Sequence, residues 1–436
     1  MSRRATTPAA ASEVSGCPVS AATTTKSRTA ADVSGTTHMV ETYAAVVEVM
    51  RNSELLALLH DSSEPFRGGT MRQIDGPPHH RRRKTMGQLL RGKGDDWFRE
   101  RVLLPTIRRN IDAVLMDRDA DGVSRTDMVP FVRRAFFQLA ASIIGLQGVD
   151  DLEQAEALRR FSEPINMAMR AYYETGDHDE MLRRGLEVKE EFRERYFDPA
   201  YAHHEELLAK VERGEIAASE LPHDLLTLVV RGDDPELAAD RELVLREALT
   251  DMINAGTFSS AFTLLHVIDE LLTWFDGHPE DRKLRTDPTF LFGAVSEALR
   301  LHPIVPLLWR IADQDVTLKS IGLQIKAGDA VCINIRPANR DPEIFGPDAD
   351  AFDPRREPTP GVYQYGLTFG TGRHMCFGVP LILGSNGVNG SHVQMVKAFF
   401  EAGIDRDPGS PPRIAVGAGQ LNMFETYPVI FRGAGG

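Results

Sequence analysis

Cysteine is scarce in this chain, with three in 436 residues: Cys17, Cys332 and Cys376. So sparse and odd a set builds no disulfide framework and fits a reducing, cytoplasmic setting. Each cysteine then needs its own explanation. Long hydrophobic runs are missing too. No apolar stretch reaches the roughly eighteen residues of a bilayer crossing, so no membrane anchor is expected. Nor is there a long basic run interleaved with aromatics. With 63 acidic against 50 basic side chains, a formal charge of −13, nucleic acid is not expected as a partner. The stretch from Met1 to Thr42 lacks the apolar core of a signal peptide. Its Ser, Thr and Ala content reads as a low-complexity, disordered leader over residues 1–38, followed by one domain over 39–436.

What is present is an ordinary globular composition, 42% hydrophobic and 26% charged. The length alone would suggest two or three domains, but no repeat or internal linker divides the chain. From Tyr43 to about Trp274 the pattern is helical. Tyr43–Met50 opens a short helix, and Pro77-Pro78 starts another, because proline is tolerated in a first turn. Phe131–Leu146 has apolar residues at three- and four-residue intervals. Leu152–Tyr173 and Met181–Arg195 are polar-faced and amphipathic. Arg241–Phe275 has an unusually apolar centre, which predicts a long helix through the core. Phe290–Leu301 is a further helix, ended by His302-Pro303. Short strands follow at Val316–Leu318, Leu323–Lys326 and Ala330–Ile335. Pro and Gly dominate from Pro337 to Gly378, a long ordered coil of the kind that usually carries function. The fold class is therefore mainly α with small β-sheets (α+β).

Cys17 falls in the leader, and Cys332 lies in a β-like run where it reads as a small buried hydrophobe. Cys376 differs. It sits in Phe369-Gly370-Thr371-Gly372-Arg373-His374-Met375-Cys376-Phe377-Gly378, with glycines on both sides. Such flanks let backbone approach a flat object closely, and a turn entering a helix can offer amides to a thiolate. A nucleophile, a metal ligand and a filler all remain open for this residue taken alone.

Three other constellations bear on the choice. Glu297 and Arg300 share a helix face at i and i+3. Because the residues between them are apolar, a buried bidentate pair bonded to the coil is expected. His79 and Arg83, four apart after Asp75-Gly76-Pro77-Pro78, also share a face and suit a carboxylate. Arg310 is a lone cation in apolar sequence entering the sheet. With His374 these make four candidate donors for two carboxylates, and haem carries two propionates.

In this order the segments resemble the cytochrome P450 family in its soluble bacterial form, over roughly Met39 to the C-terminus. Asp75–Arg83 looks like the family's propionate-binding helix. Ala255-Gly256-Thr257-Phe258-Ser259-Ser260 is similar to its oxygen-binding groove, Glu297–Arg300 to the ExxR pair, and Phe369–Gly378 to the cysteine loop. The resemblance implies haem b between the long central helix and the Cys loop, with Cys376 as the iron ligand. It implies cofactor contacts from His79, Arg83, Ala255, Arg310, Phe369, Gly370, His374 and Gly378. Gly256, Thr257 and Ser259 would be the catalytic groove, and Glu297 and Arg300 structural. The implied activity is a monooxygenase of bacterial secondary metabolism. Its electrons would come from NAD(P)H through a reductase and a ferredoxin or flavodoxin, with Arg81, Arg82 and Lys84 as a docking patch.

Three departures stand out. The family's acid and threonine are replaced by Phe258 and Ser259, and Phe258 carries no proton. This opens an alternative in which the enzyme uses peroxide or performs coupling, dehydration, rearrangement or nitrogen chemistry. Gly384-Ser385-Asn386-Gly387-Val388-Asn389-Gly390-Ser391 disfavours helix, which predicts an interrupted helix with an added loop of about half a dozen residues after Cys376. Little before Met39 looks like the family's first elements. By resemblance Phe258, Val305, Leu307, Leu308, Met423 and Phe424 face the substrate, so a small hydrophobic or aromatic molecule is expected. Asn254 and Asn166 are possible polar contacts. Two rival classes remain: a haem-based sensor, which would form no product, and a cysteine hydrolase, for which His374 has no convincing third partner.

Overall fold

The computed structural model describes residues 28–59, 63–91, 93–171, 176–385, 387–415 and 423–433. Helices dominate it, with four small sheets at the margins. The strands are β1 (Arg28–Thr29), β2 (Thr37–Val40), β3 (Leu55–Leu59), β4 (Ser124–Asp127), β5 (Leu307–Ala312), β6 (Val316–Leu318), β7 (Leu323–Ile325), β8 (Ala330–Asn334), β9 (Ile404–Arg406), β10 (Arg413–Ile414), β11 (Phe424–Thr426) and β12 (Pro428–Phe431). The largest sheet runs β1-β3-β5-β8-β2, with β3, β5 and β8 antiparallel neighbours and β2 parallel to β8. Residues 28–38, assigned above to the leader, thus carry β1 and the start of β2. The reading of residues 1–27 as disordered falls outside the described residues.

The apolar centre of Arg241–Gly277 does run through the core. Asp240 caps its start by accepting the Leu243 amide at 3.0 Å. Its middle, Ala248–Thr257, is wound wider, as a π-helix, before ordinary α-helix resumes at Phe258–Gly277. Such widening is uncommon and gathers at functional sites, because it resets which residues share a face. Leu245, Ala248, Leu249, Leu264, Leu265 and Val267 are all fully buried. The Met128–Ile144 helix packs across both parts, and it closes with Gly145 at φ +103°, a left-handed cap that suits glycine.

Pro288–Leu301 packs beside the central helix, capped by Asp287. Beyond Cys376 the helix is interrupted: Val379–Leu383, then Gly384–Gly390, then Ser391–Glu401. Among the described residues no helix is long and apolar enough to cross a membrane.

Candidate active site

A cavity with about 1560 Å³ of atom-free space, including its solvent-open part, lies between the wide stretch of the central helix and the Phe369–Gly378 loop.

The cysteine loop forms one wall. The Cys376 amide donates to the Phe369 carbonyl at 2.7 Å, closing the loop on itself. Gly370 and Gly372 take φ of +66° and +73°. A Cβ on Gly372 would stand 2.7 Å from the Met50 carbonyl, so glycine is required there. Cys376 is exposed to the cavity yet deep within the protein, and this burial pushes its thiol pKa up. The Gly378 amide, Arg72 and Arg83 oppose the shift.

The opposite wall is the central helix. Asp251, Met252, Ala255, Gly256, Ser259, Ser260 and Thr263 line the cavity. These positions recur at three- and four-residue intervals and so share one face of the helix. Ser259 donates its hydroxyl to the Ala255 carbonyl at 2.6 Å, and Thr263 donates to that of Ser259 at 2.7 Å.

At the rim, His79, Arg83, Arg310 and His374 come together on the same cavity. The His79 and His374 rings are 4.4 Å apart. Burial lowers His79 to about 3, helped by the charges of His374 and Arg83. Burial likewise lowers His374, against the pull of Asp75. Arg310 donates to the Trp309 carbonyl at 2.8 Å, and burial brings its pKa down to about 10. Burial also lowers Arg83. Among the described residues no carboxylate pairs with Arg83 or Arg310. Asp75 is spent elsewhere: its Oδ1 accepts Arg373 Nε at 2.7 Å and His374 Nε2 at 2.8 Å. Although burial raises Asp75, these two partners hold its carboxyl well below the usual range.

A buried cation without a counter-ion is costly. Two guanidiniums with no carboxylate partner among the described residues, a cavity-facing thiol and a glycine-cleared floor together fit haem with its two propionates.

Behind this floor lies the Glu297–Arg300 pair, fully buried and bidentate at 2.8 and 2.6 Å. Arg300 also donates to the carbonyls of Asn339 (2.7 Å) and Ala349 (2.6 Å). Glu297 further accepts Arg356 Nε at 2.7 Å. Asn339 donates to the Arg300 carbonyl and accepts the Leu367 amide, so the coil is tied to the helix that precedes it.

Several expected residues lie elsewhere. Thr257 turns into the helix and donates to the Ile253 carbonyl at 2.5 Å. Phe258 packs outside the cavity lining, under the Arg170 guanidinium at 4.6 Å and beside Phe262. It therefore does not narrow the pocket. On β5, side chains alternate between faces, so Leu308 and Arg310 reach the cavity and Leu307 does not. Phe424 stacks near His266 and Tyr427, and Met423 packs on the core. Val305 lines the cavity as expected. Asn254 bonds Asn166 and Arg67, away from the lining. Arg82 is buried, holding Glu247 and Glu236, so it is no part of a surface patch; Arg81 and Lys84 are exposed.

Sequence reasoning missed Arg72 and Asp251, whose nearest approach is 3.9 Å on the cavity wall. A lone acid between Leu249-Thr250 and Met252-Ile253 was the available signal. It also missed Phe136, Leu139, Ala140 and Ile143, supplied by the Met128–Ile144 helix.

The chain is similar to known proteins. The model of the family described as Cytochrome P450 matches residues 276–381. The putative cytochrome P450 140 of Mycobacterium tuberculosis is 28% identical over 322 residues, covering 74% of this chain and 65% of that protein. The Arabidopsis thaliana cytochrome P450 71A27 is 32% identical over 184 residues, covering 36% of this chain and 35% of that protein. The chain thus spans about a third of the plant relative and just under two thirds of the mycobacterial one. The crystal structure of CalO2 superposes with a TM-score of 0.66 at 23% identity, covering 91% of each chain, which shows the fold.

Proposed function

This chain belongs to the cytochrome P450 family, and from that premise we propose that it is a haem-thiolate monooxygenase. The observation that carries this reading is Cys376 facing a cavity rimmed by Arg83 and Arg310, with which no carboxylate pairs among the described residues. The overall reaction is R–H + O2 + 2 e⁻ + 2 H⁺ → R–OH + H2O. Cys376 ligates the iron; once bound, haem supplies a centre at which thiolate donation favours O–O cleavage. Metal coordination deprotonates a thiol outright, which offsets the burial that raises Cys376. Arg83 and Arg310 would neutralise the two propionates, with His79 donating beside them and His374, whose Nε2 donates to Asp75, packed against the His79 ring. Gly256 lets the central helix come close to the bound ligand, and Ser259 holds a hydroxyl there.

The lining by Met50, Met71, Leu308, Ile304 and Val305 supports a largely apolar substrate of small size. A ferredoxin or flavodoxin with its reductase is the electron source, NAD(P)H the ultimate donor, and the cytoplasm the site of action. The exposed pair Arg81 and Lys84 supports docking of an acidic carrier.

One observation favours the peroxide alternative. The Ser259 proton is committed to the Ala255 carbonyl, and Phe258 lies outside the cavity. Two mixtures separate the readings, one with dioxygen, NAD(P)H and a surrogate ferredoxin–reductase pair, the other with hydrogen peroxide alone. Product mainly in the first supports the monooxygenase, and product mainly in the second the alternative.

A further inference from the structure

Two buried acids on the central helix have no role so far. Glu247 and Asp251 stand one turn apart. Glu247 is fully buried, and its Oε1 accepts the Met71 amide at 2.7 Å and Arg82 Nη1 at 2.9 Å. Among the described residues its Oε2 has no N–H or O–H donor, and neither oxygen of Asp251 has one. Asp251 is 5% exposed, yet it lines the cavity that Cys376 faces.

Arg72 stays 3.9 Å away, beyond hydrogen-bond reach. A purely structural ion pair would close that gap. Oxygen atoms this deep are costly to leave bare, and two facing carboxyls satisfy each other only when one carries a proton. Burial raises both pKa values and the charge of Asp251 adds to the rise at Glu247, while the contact between the two carboxyls lowers Asp251. Arg67, Arg72 and Arg82 offset part of that rise.

We propose that Glu247 and Asp251 hold one proton between them and that Asp251 delivers it into the cavity, which makes Asp251 a further catalytic residue. This rests on the monooxygenase reading above, whose reaction consumes two protons. In the step, the O–H bond of the Asp251 acid breaks and an O–H bond forms on the dioxygen atom that leaves as water. No electron changes hands. The carboxylate left behind takes a proton back from solvent beside Arg72, whose side chain is 35% exposed. Asp251, Ala255 and Ser259 follow one another at four-residue steps on the lining, so the acid stands two turns ahead of the hydroxyl.

The test uses the full-length, haem-loaded protein and its Asp251→Asn and Glu247→Gln variants. Infrared difference spectra in H2O and D2O read the carbonyl stretch of a protonated carboxyl. Dioxygen consumption with NAD(P)H and a surrogate ferredoxin–reductase pair reads turnover and its solvent isotope effect. The expected result is a deuterium-sensitive band in the unmodified protein, lost in both variants. Asp251→Asn should also slow dioxygen consumption by roughly a hundredfold, with an altered isotope effect. If Asp251→Asn fails to load haem, Glu247→Gln decides, with the same losses expected. No such band in the unmodified protein, or unchanged turnover and isotope effect in a haem-loaded variant, overturns the proposal. If the unmodified protein shows no thiolate-type carbon monoxide spectrum, the monooxygenase reading fails instead.

Discussion

Arg300 reaches back one helical turn to Glu297 through two hydrogen bonds, of 2.8 and 2.6 Å, with neither side chain exposed to solvent. The pair is the hub of a larger network. Arg300 grips the carbonyls of Asn339 and Ala349, while Arg356 closes on Glu297. These bonds hold a long coil that has little regular structure of its own and that ends in the cysteine loop.

Removing one member should therefore cost more than a surface pair would. Arg300→Ala leaves a buried carboxylate with Arg356 and the Asp353 amide as its remaining partners, and breaking a buried pair costs roughly 3–5 kcal/mol. Urea denaturation should show a loss of that size, with haem content falling alongside. A loss under about 1 kcal/mol with full haem loading would contradict this role.

This hub was legible in the sequence, and so was most of the fold, for a physical reason. A carboxylate and a guanidinium inside apolar helical sequence must pair, and the glycines around Cys376 mark close backbone approach. The interrupted helix was also legible, since Gly384, Gly387 and Gly390 oppose helix directly. The side-chain directions on the central helix were not. A 3.6-residue period does not describe the wide turn at Ala248–Thr257, so Phe258 falls off the lining and Ser260 onto it. Arg82 was equally hidden, because only the packed structure brings it to Glu247, 165 residues away.

The neck of the added loop is closed by backbone contact. A Cβ on Gly390 would stand 2.2 Å from the Ile382 carbonyl oxygen and 2.6 Å from the Gly384 amide nitrogen. Its φ of −68° is ordinary, so the conflict is steric alone. Gly390→Ala should destabilise the protein by roughly 1–3 kcal/mol, read as a lower thermal midpoint. An unchanged midpoint would mean that the neck opens freely.

His392 offers a pH test. Burial lowers it from 6.5 to about 3. Between those values the unfolded chain takes up a proton that the folded protein refuses. Its contribution to stability is full above about pH 6.5 and falls as pH drops toward 3, by about 1.4 kcal/mol per unit. Urea midpoints at pH 7 and pH 5 should differ less in His392→Gln than in the unmodified protein. Equal differences would show that His392 does not titrate on unfolding.

Charge reversal distinguishes the neighbours on the Gly76–Met86 helix. Arg81→Glu with Lys84→Glu should slow reduction by a ferredoxin several-fold and leave the haem spectrum unchanged. Arg82→Glu should instead destabilise the protein, since Arg82 sits 1% exposed against Glu247. Stopped-flow reduction and thermal melts separate the two effects. Equal reduction rates in the double variant would place docking on another face.

The central claim is that Cys376 binds a haem iron as thiolate, and the carbon monoxide spectrum of the reduced, haem-loaded protein tests it most directly. The account predicts the strongly red-shifted band of a thiolate-ligated iron, lost in Cys376→His while that variant still binds haem. A protein that loads haem without showing this band, or a Cys376→His variant that keeps it, would contradict the account.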